Sequence, residues 1–188
     1  MNPHRLKVGA HIPDFWTRDI NGQEVDARNL KNTTLFVFLR FAGCPFCNLA
    51  IYRLSHEHKL LKKNGCDVIA FIQSTGESIE EHVIAQQAMT PPFPIVPDQQ
   101  QDIYKLFGVV PNAAKAARYT AKNASHWIDA VFTKKFKQTS FDGQAFMVPA
   151  YFLVGKDGVV QLANYDASFY EDEVFTPIYE HLTFGPKA

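Results

Sequence analysis

The sequence has few cysteines, no net charge and no long apolar run. Three cysteines in 188 residues are too few for the disulfide framework of a small secreted protein. Nineteen basic and nineteen acidic residues give a formal net charge of zero, so no general attraction draws the chain to nucleic acid or an anionic membrane. No segment reaches the roughly 18 apolar residues of a membrane span, and the N-terminus lacks the apolar centre of a signal peptide. We therefore expect a soluble, cytosolic protein that binds neither nucleic acid nor membrane.

Apolar residues, by contrast, are plentiful enough for a full core. They make up 46% of the chain, which predicts one domain over residues 1–188. Residues 35–39 form a continuous apolar run, typical of a strand covered on both faces. Residues 45–64 repeat apolar positions every three or four residues, as a helix does, and residues 68–72 form a second buried strand. This alternation predicts an α/β fold with a central sheet flanked by helices.

Three further patterns complete the predicted fold. An Asn-Gly pair within residues 15–25 indicates an N-terminal hairpin. Residues 151–154 and 159–163, separated by a turn, indicate a second, antiparallel hairpin. Ser168 and Glu171 have the spacing of a capping box, which predicts that the last helix begins there.

Residues 111–147 do not follow the alternation and are interpreted as a helical insertion. Their first half is rich in alanine, and their second half is aromatic and basic around Trp127, Phe132 and Lys134. The lysines form either a solvated helix face or a docking surface for an acidic partner.

The segment Cys44-Pro45-Phe46-Cys47 stands where the buried strand ends and the helix begins, a common position for functional groups in α/β sheets. Pro45 suits the first helical position, which places Cys44 near the N-cap. Unpaired amide groups and the helix dipole favour an anion there and lower the pKa of the thiol. Cys47 lies one helical turn further on the same side. It is placed to attack a bond formed at Cys44 and to close a disulfide.

Two other uses of the cysteine pair are less well supported. A zinc site needs about four ligands, usually as two pairs, and Cys66 with scattered histidines supplies no second pair. A structural disulfide between adjacent turns closes too small a loop to stabilise the fold much. Redox chemistry that requires no metal and no organic cofactor is therefore favoured.

Pro149 is the second feature of interest, because it immediately precedes the strand predicted at residues 151–154 and proline is disfavoured within a central strand. A cis Val148–Pro149 bond at the strand start would aim the backbone of Val148 toward a neighbouring helix terminus. The alternative is an ordinary trans proline that opens an edge strand.

Together these features resemble the thioredoxin superfamily. The stretches KVGAHIPDF, FIQSTGESIEEH and PIVPDQQQDIYKLFGV are similar to its peroxiredoxin-like branch, the alkyl hydroperoxide reductase and thiol-specific antioxidant group. FLRFAGCPFC resembles members of that branch with an arginine before a C-x-x-C motif. The resemblance implies a thioredoxin-like fold in which Cys44 attacks, Cys47 resolves and Pro149 is the cis-proline. It is also compatible with a homodimer, although the sequence identifies no interface.

The sequence departs from the peroxiredoxin motif Pro-x-x-x-Thr-x-x-Cys at two places. Val37 and Phe41 occupy the proline and threonine positions, so the hydroxyl that orients a peroxide is missing. Arg40, four residues before Cys44, either compensates by placing a cation beside the thiolate or reaches solvent from the strand end.

Three functions remain open. The chain is a peroxidase that an external thioredoxin- or glutathione-type thiol regenerates, a reductase of protein or glutathione disulfides, or a non-catalytic interaction module. Phe46, Trp127 and Phe141 are candidates for the wall of the thiolate pocket, with core packing as the simpler interpretation. Cys66 is interpreted as a packed or partly exposed thiol, with a third redox partner as the alternative.

Overall fold

The computed structural model describes residues 5–87, 89–139, 141–169 and 172–185. Its strands are β1 (Trp16–Arg18), β2 (Glu24–Asp26), β3 (Thr33–Phe38), β4 (Cys66–Ile72), β5 (Ile95–Pro97), β6 (Ala150–Val154) and β7 (Val160–Asn164). Its helices are α1 (Pro45–Lys63), α2 (Gly76–His82), α3 (Asp102–Leu106), α4 (Ala113–Lys122), α5 (Ala124–Ile128) and α6 (Thr176–Phe184). Nowhere in these ranges is a helix both long and apolar enough to cross a membrane.

The main sheet has five strands in the order β5-β4-β3-β6-β7, and β1 pairs with β2 in a separate hairpin. Strands β3, β4 and β5 are parallel, whereas β6 and β7 run antiparallel to their neighbours. The predicted α/β fold with a central mixed sheet and an N-terminal hairpin is therefore confirmed.

Strand β3 is covered on both faces, which explains its continuous apolar run. Leu35 and Val37 belong to the core beneath α1, and Phe36 and Phe38 belong to a second core on the opposite face. The second core is largely aromatic, and the rings of Phe38 and Phe71 stack with their centroids 4.8 Å apart. Because successive side chains of a strand point to opposite faces, both cores hold β3 in the sheet.

Tyr104 of α3 connects the ends of β3 and β4. Its hydroxyl lies 2.7 Å from the carbonyl oxygen of Phe71 and also reaches the carbonyl oxygen of Leu39. These two carbonyls stand at the ends of the neighbouring strands β3 and β4. The buried hydroxyl therefore ties both strand ends together just before the cysteine pair.

The predicted start of the last helix is wrong. Helix α6 begins at Thr176 rather than at Ser168, with Pro177 in its first turn, where a missing N–H costs little. Glu171, the other half of the expected capping box, lies outside the described residues.

The insertion at residues 111–147 is helical in its first part, as predicted. Helices α4 and α5 are followed by a π-helical turn, Asp129–Thr133, and then by an irregular segment. It packs over α1, where the ammonium group of Lys134 lies 4.3 Å from the ring centre of Tyr52. The insertion thus comes to lie above the N-terminal half of α1, where the cysteines are.

Candidate active site

Cys44 is the N-cap residue of α1, as predicted, and Pro45 opens the helix. The Cys44 backbone is extended (φ −85°, ψ 120°), and its carbonyl accepts the N–H groups of Cys47 and Asn48. The amides of Phe46 and Cys47 favour a negative charge on Sγ, although neither makes a full capping hydrogen bond. The sulfur therefore lies at the positive end of the helix.

The pKa of Cys44 is lowered to about 6. The largest cause is a hydrogen bond from the Cys47 thiol; burial opposes it, and the Arg40 charge and the first amides of α1 assist. At neutral pH Cys44 is thus mainly a thiolate, the form that acts as a nucleophile.

Cys47 behaves in the opposite way. Its side chain is fully buried, and burial together with the neighbouring Cys44 sulfur raises its pKa well above the ordinary value. It therefore keeps its proton and donates a hydrogen bond to the Cys44 thiolate. Its Sγ also accepts the backbone N–H of Arg40 at 3.2 Å. The outer sulfur is thus charged and ready to attack, whereas the inner sulfur stays protonated until it loses its proton in the resolving step.

Arg40 is held close to the sulfurs. Its Nη2 donates to the carbonyl oxygen of Ala145 at 2.7 Å, and its guanidinium carbon lies 5.2 Å from the ring centre of Phe41. Its Nε is buried and has no hydrogen-bond partner among the described residues. Of the two interpretations of Arg40, the cation beside the thiolate fits this geometry.

A pocket of about 410 Å³ opens beside Cys44. Half of its lining comes from the loop after β3 and the start of α1, and half comes from the insertion: Arg40, Phe41, Cys44, Pro45 and Phe46 on one side, and Thr120, Ala124, Trp127, Gln138 and Phe141 on the other. Trp127 and Phe141 are 41% and 64% exposed, so core packing is the wrong interpretation for these two rings. Phe46 both lines the pocket and is buried.

Pro149 requires a correction. The Val148–Pro149 bond is trans, and cis bonds are absent throughout the described ranges. Pro149 comes one residue before β6, where no N–H is needed for strand pairing, and its carbonyl accepts the N–H of Ala167 at 2.9 Å. With its hydrogen bonding satisfied, the intrinsically favoured trans form suffices. Strand β6 lies between β3 and β7, so the edge-strand alternative is wrong as well.

Cys66 is separate from this site. It is the first residue of β4 and fully buried, and burial raises its pKa to about 12. It is therefore an inert packed thiol at neutral pH. Within the part of the chain that the structure describes, no three histidine, cysteine or carboxylate side chains come together as metal ligands.

Two buried polar residues that the sequence analysis missed hold the loop before Cys44. The Nδ2 of Asn48 donates to the carbonyl oxygen of Ala42 at 3.0 Å, and the hydroxyl of Ser74 accepts the N–H of Ala42 at 2.8 Å. An asparagine among the apolar residues that follow Cys47 was a visible signal. The role of Ser74 depends on the packing of β4 against β3 and has no local signature.

Comparison with known proteins agrees with this geometry. The sequence profile of the AhpC/TSA family matches residues 8–163. The thiol-disulfide oxidoreductase ResA of Bacillus thuringiensis subsp. konkukian is 24% identical over 109 residues, which make up 57% of this chain and 61% of ResA. The match thus spans about three fifths of the length of such curated relatives.

Solved structures of similar fold include proteins named for peroxide chemistry and proteins named for disulfide exchange. Peroxidoxin BcpB from Mycobacterium tuberculosis has a TM-score of 0.66 at 13% identity, with 93% of this chain and 97% of that one covered. A structure described provisionally as the thiol:disulfide interchange protein DsbE from Chlorobium tepidum has a TM-score of 0.62 at 17% identity, with 94% and 99% covered. These likenesses establish the fold, and the profile match extends over most of the chain. The chain belongs to the AhpC/TSA family.

Proposed function

We propose that this protein is a thiol peroxidase that reduces hydroperoxides with Cys44 and Cys47. The observation that carries the proposal is the charge asymmetry of the two sulfurs beside an open pocket. Cys44 has a pKa of about 6 and lines the pocket, whereas Cys47 lies behind it and stays protonated.

The proposed reaction has two steps. The Cys44 thiolate attacks one oxygen of the hydroperoxide, the O–O bond breaks, and the other oxygen leaves as an alcohol or as water after taking up a proton. Cys44 is thereby oxidised to a sulfenic acid. The Cys47 sulfur then attacks the Cys44 sulfur, which releases water and leaves an intramolecular disulfide. An external thioredoxin- or glutathione-type thiol reduces this disulfide and restores both cysteines.

In this proposal Arg40 supplies the electrostatic stabilisation of the peroxide that the missing threonine hydroxyl would otherwise give. Phe41 fills the threonine position, and its phenyl ring has no hydrogen-bond donor. The ring packs against Phe141, with ring centres 4.5 Å apart. The guanidinium of Arg40 lines the same pocket and carries a buried, unpaired Nε–H. Its charge stabilises the thiolate and then the leaving oxygen.

The burial of Cys44 supports a small substrate. The residue is 2% exposed and is reached through a pocket whose outer wall is the insertion. A small hydroperoxide fits a space of about 410 Å³, whereas the disulfide of a folded protein requires a more exposed sulfur. Trp127 and Phe141 add apolar surface for an organic group.

Reduction of disulfides is the second candidate. The ResA relatives carry the name of thiol-disulfide oxidoreductases, and the sequence Cys-Pro-Phe-Cys resembles glutaredoxin-type motifs. The same thiolate at Cys44 would attack a disulfide sulfur, and Cys47 would resolve the mixed disulfide.

Stopped-flow fluorescence distinguishes the two candidates. The chain has two tryptophans, and Trp127 lines the pocket whereas Trp16 lies on β1. In a Trp16→Phe background the signal comes from Trp127 alone.

We expect hydrogen peroxide and cumene hydroperoxide to oxidise the reduced protein far faster than they oxidise free cysteine, and faster than glutathione disulfide oxidises the protein. A preference for glutathione disulfide would establish the second candidate. Rates no higher than that of free cysteine with all three oxidants would support the interaction module instead.

The homodimer and the cytosolic location stay predictions. The mass of the protein in solution and the location of the tagged full-length chain test them.

A further inference from the structure

Residues 141–145 of the insertion, called the strap from here on, lie across the loop that connects β3 to Cys44. The hydroxyl of Ser74 donates to Asp142 Oδ1 at 3.0 Å, and the N–H of Gln144 donates to the side-chain oxygen of Gln73 at 3.1 Å. The carbonyl of Ala145 accepts Arg40 Nη2. The strap is thus attached both to the end of β4 and to the guanidinium of the site.

Gly143 lies at the closest approach of the strap to the loop. A methyl group at its Cβ position would stand 2.8 Å from the Cβ of Phe41 and 3.0 Å from the backbone oxygen of Gln73. Phe41 is 1% exposed and Gln73 is fully buried, so neither neighbour can move away cheaply. The requirement for glycine is therefore one of space.

We propose that Gly143 is a positioning residue, which lets the strap close on the loop and hold the guanidinium of Arg40 beside the Cys44 sulfur. The strap fixes Arg40 at its outer end through Ala145, while the backbone N–H of Arg40 is fixed at its inner end on Cys47. A long, flexible side chain tethered at both ends keeps its charge in one place.

Displacement of the strap has a direct chemical consequence. Without the Ala145 carbonyl, the guanidinium is free to turn toward solvent, where water screens its charge. The Cys44 thiolate then loses one of the groups that stabilise it. The inference concerns the thiolate and does not depend on whether its substrate is a peroxide or a disulfide.

The test compares Gly143→Ala with Gly76→Ala in a Cys47→Ser background. Gly76 lies in the first turn of α2, and a methyl group added there would meet no atom within 4 Å, so it is a matched control. The pKa of Cys44 is measured by thiolate absorbance at 240 nm and by the pH profile of iodoacetamide alkylation. We expect Gly143→Ala to raise the pKa by about one unit or more, as loss of a nearby charge does, and to slow alkylation near pH 6 several-fold. Gly76→Ala should leave both unchanged.

Arg40→Gln shows whether the effect passes through the guanidinium. Arg40→Gln alone should raise the pKa of Cys44, and adding Gly143→Ala should raise it no further, because coupled residues are not additive. An unchanged pKa in Gly143→Ala would overturn the inference, and so would a shift that simply adds to that of Arg40→Gln.

If Gly143→Ala fails to fold, Asp142→Ala replaces it. This variant removes the oxygen that accepts the Ser74 hydroxyl and introduces no new atom at the close contact. A raised Cys44 pKa in this variant supports the inference, and an unshifted one overturns it.

Discussion

The backbone N–H of Arg40 donates to the Sγ of Cys47 over 3.2 Å, so the residue that brings the positive charge also binds the second sulfur. The side chain of the same arginine is fixed to Ala145 in the insertion. The end of β3, the first turn of α1 and the insertion therefore meet at one residue. The acidity of Cys44 depends on all three elements.

The effect of replacing Cys47 on the pKa of Cys44 should depend on whether the new side chain can still donate a hydrogen bond to the Cys44 sulfur. The hydrogen bond from the Cys47 thiol is the largest cause of the low pKa. Cys47→Ala removes that donor, so we expect the pKa of Cys44 to rise toward the ordinary thiol value. Cys47→Ser keeps a hydroxyl donor and should preserve much of the effect. Thiolate absorbance measures both variants, and equal pKa values would show that the hydrogen bond is not the main cause.

The two cysteines should also differ in turnover. Cys44→Ser should abolish reaction with hydroperoxide, since a serine hydroxyl is not ionised at neutral pH. Cys47→Ser should react once and then stop, because no sulfur remains to resolve the sulfenic acid. Mass spectrometry after dimedone treatment should show one adduct on Cys44 in this variant. An adduct on Cys66, which is buried with a pKa of about 12, would contradict the assignment.

The elements that place the cysteines were predictable from local pattern. Residues 35–39 predicted β3 because both of its faces are buried, and residues 45–64 predicted α1 to within one residue. Helix-cap chemistry predicted that the pKa of Cys44 is lowered, because Pro45 places Cys44 at the N-cap. The amides of α1 are, however, the smallest of the causes, and the largest, the hydrogen bond from the Cys47 thiol, was not part of that prediction.

The wall of the site was harder to predict, because it is assembled by contacts between distant segments. Asp142 meets Ser74 and Ala145 meets Arg40 across 68 and 105 residues of sequence. Aromatic residues did not distinguish the pocket wall from the core either, since the chain has 16 phenylalanines and many of them are buried in the core. The cis bond at Pro149 was expected from the position of the proline before a central strand and from the resemblance, and the expectation was wrong, because a trans proline just outside β6 needs no N–H for strand pairing.

The stability of the reduced protein should rise with pH between about 6 and 9. In the folded state the pKa of Cys44 is about 6, below its ordinary value of 9.0. Within this window the unfolded chain carries a proton on Cys44 that the folded protein lacks, so the free energy of unfolding increases with pH. The contribution is complete above the ordinary pKa and is lost as the pH falls through about 6.

Chemical denaturation under reducing conditions tests this linkage. The difference in the free energy of unfolding between the wild type and Cys44→Ser should grow by at most about 1.4 kcal/mol per pH unit. Measurements should stay below pH 9, because the raised pKa of Cys47 gives a slope of the opposite sign at higher pH and, being raised partly by Cys44, does not cancel in the difference. A difference that does not vary with pH would mean that Cys44 is not an anion in the folded protein.

Trp127 should select for the organic part of the substrate. It lines the pocket beside Cys44, is 41% exposed and belongs to the insertion. Trp127→Ala removes apolar surface from the wall, which should lower kcat/KM for cumene hydroperoxide about tenfold, in the range of 1–3 kcal/mol for lost apolar contact. Hydrogen peroxide has no apolar group to contact the ring, so its kcat/KM should change much less. Trp16→Ala is the control, because Trp16 is half exposed on β1 and is not part of the pocket lining that the structure describes. Equal losses with both peroxides, or an equal loss in the control, would show that Trp127 supports the fold instead of binding substrate.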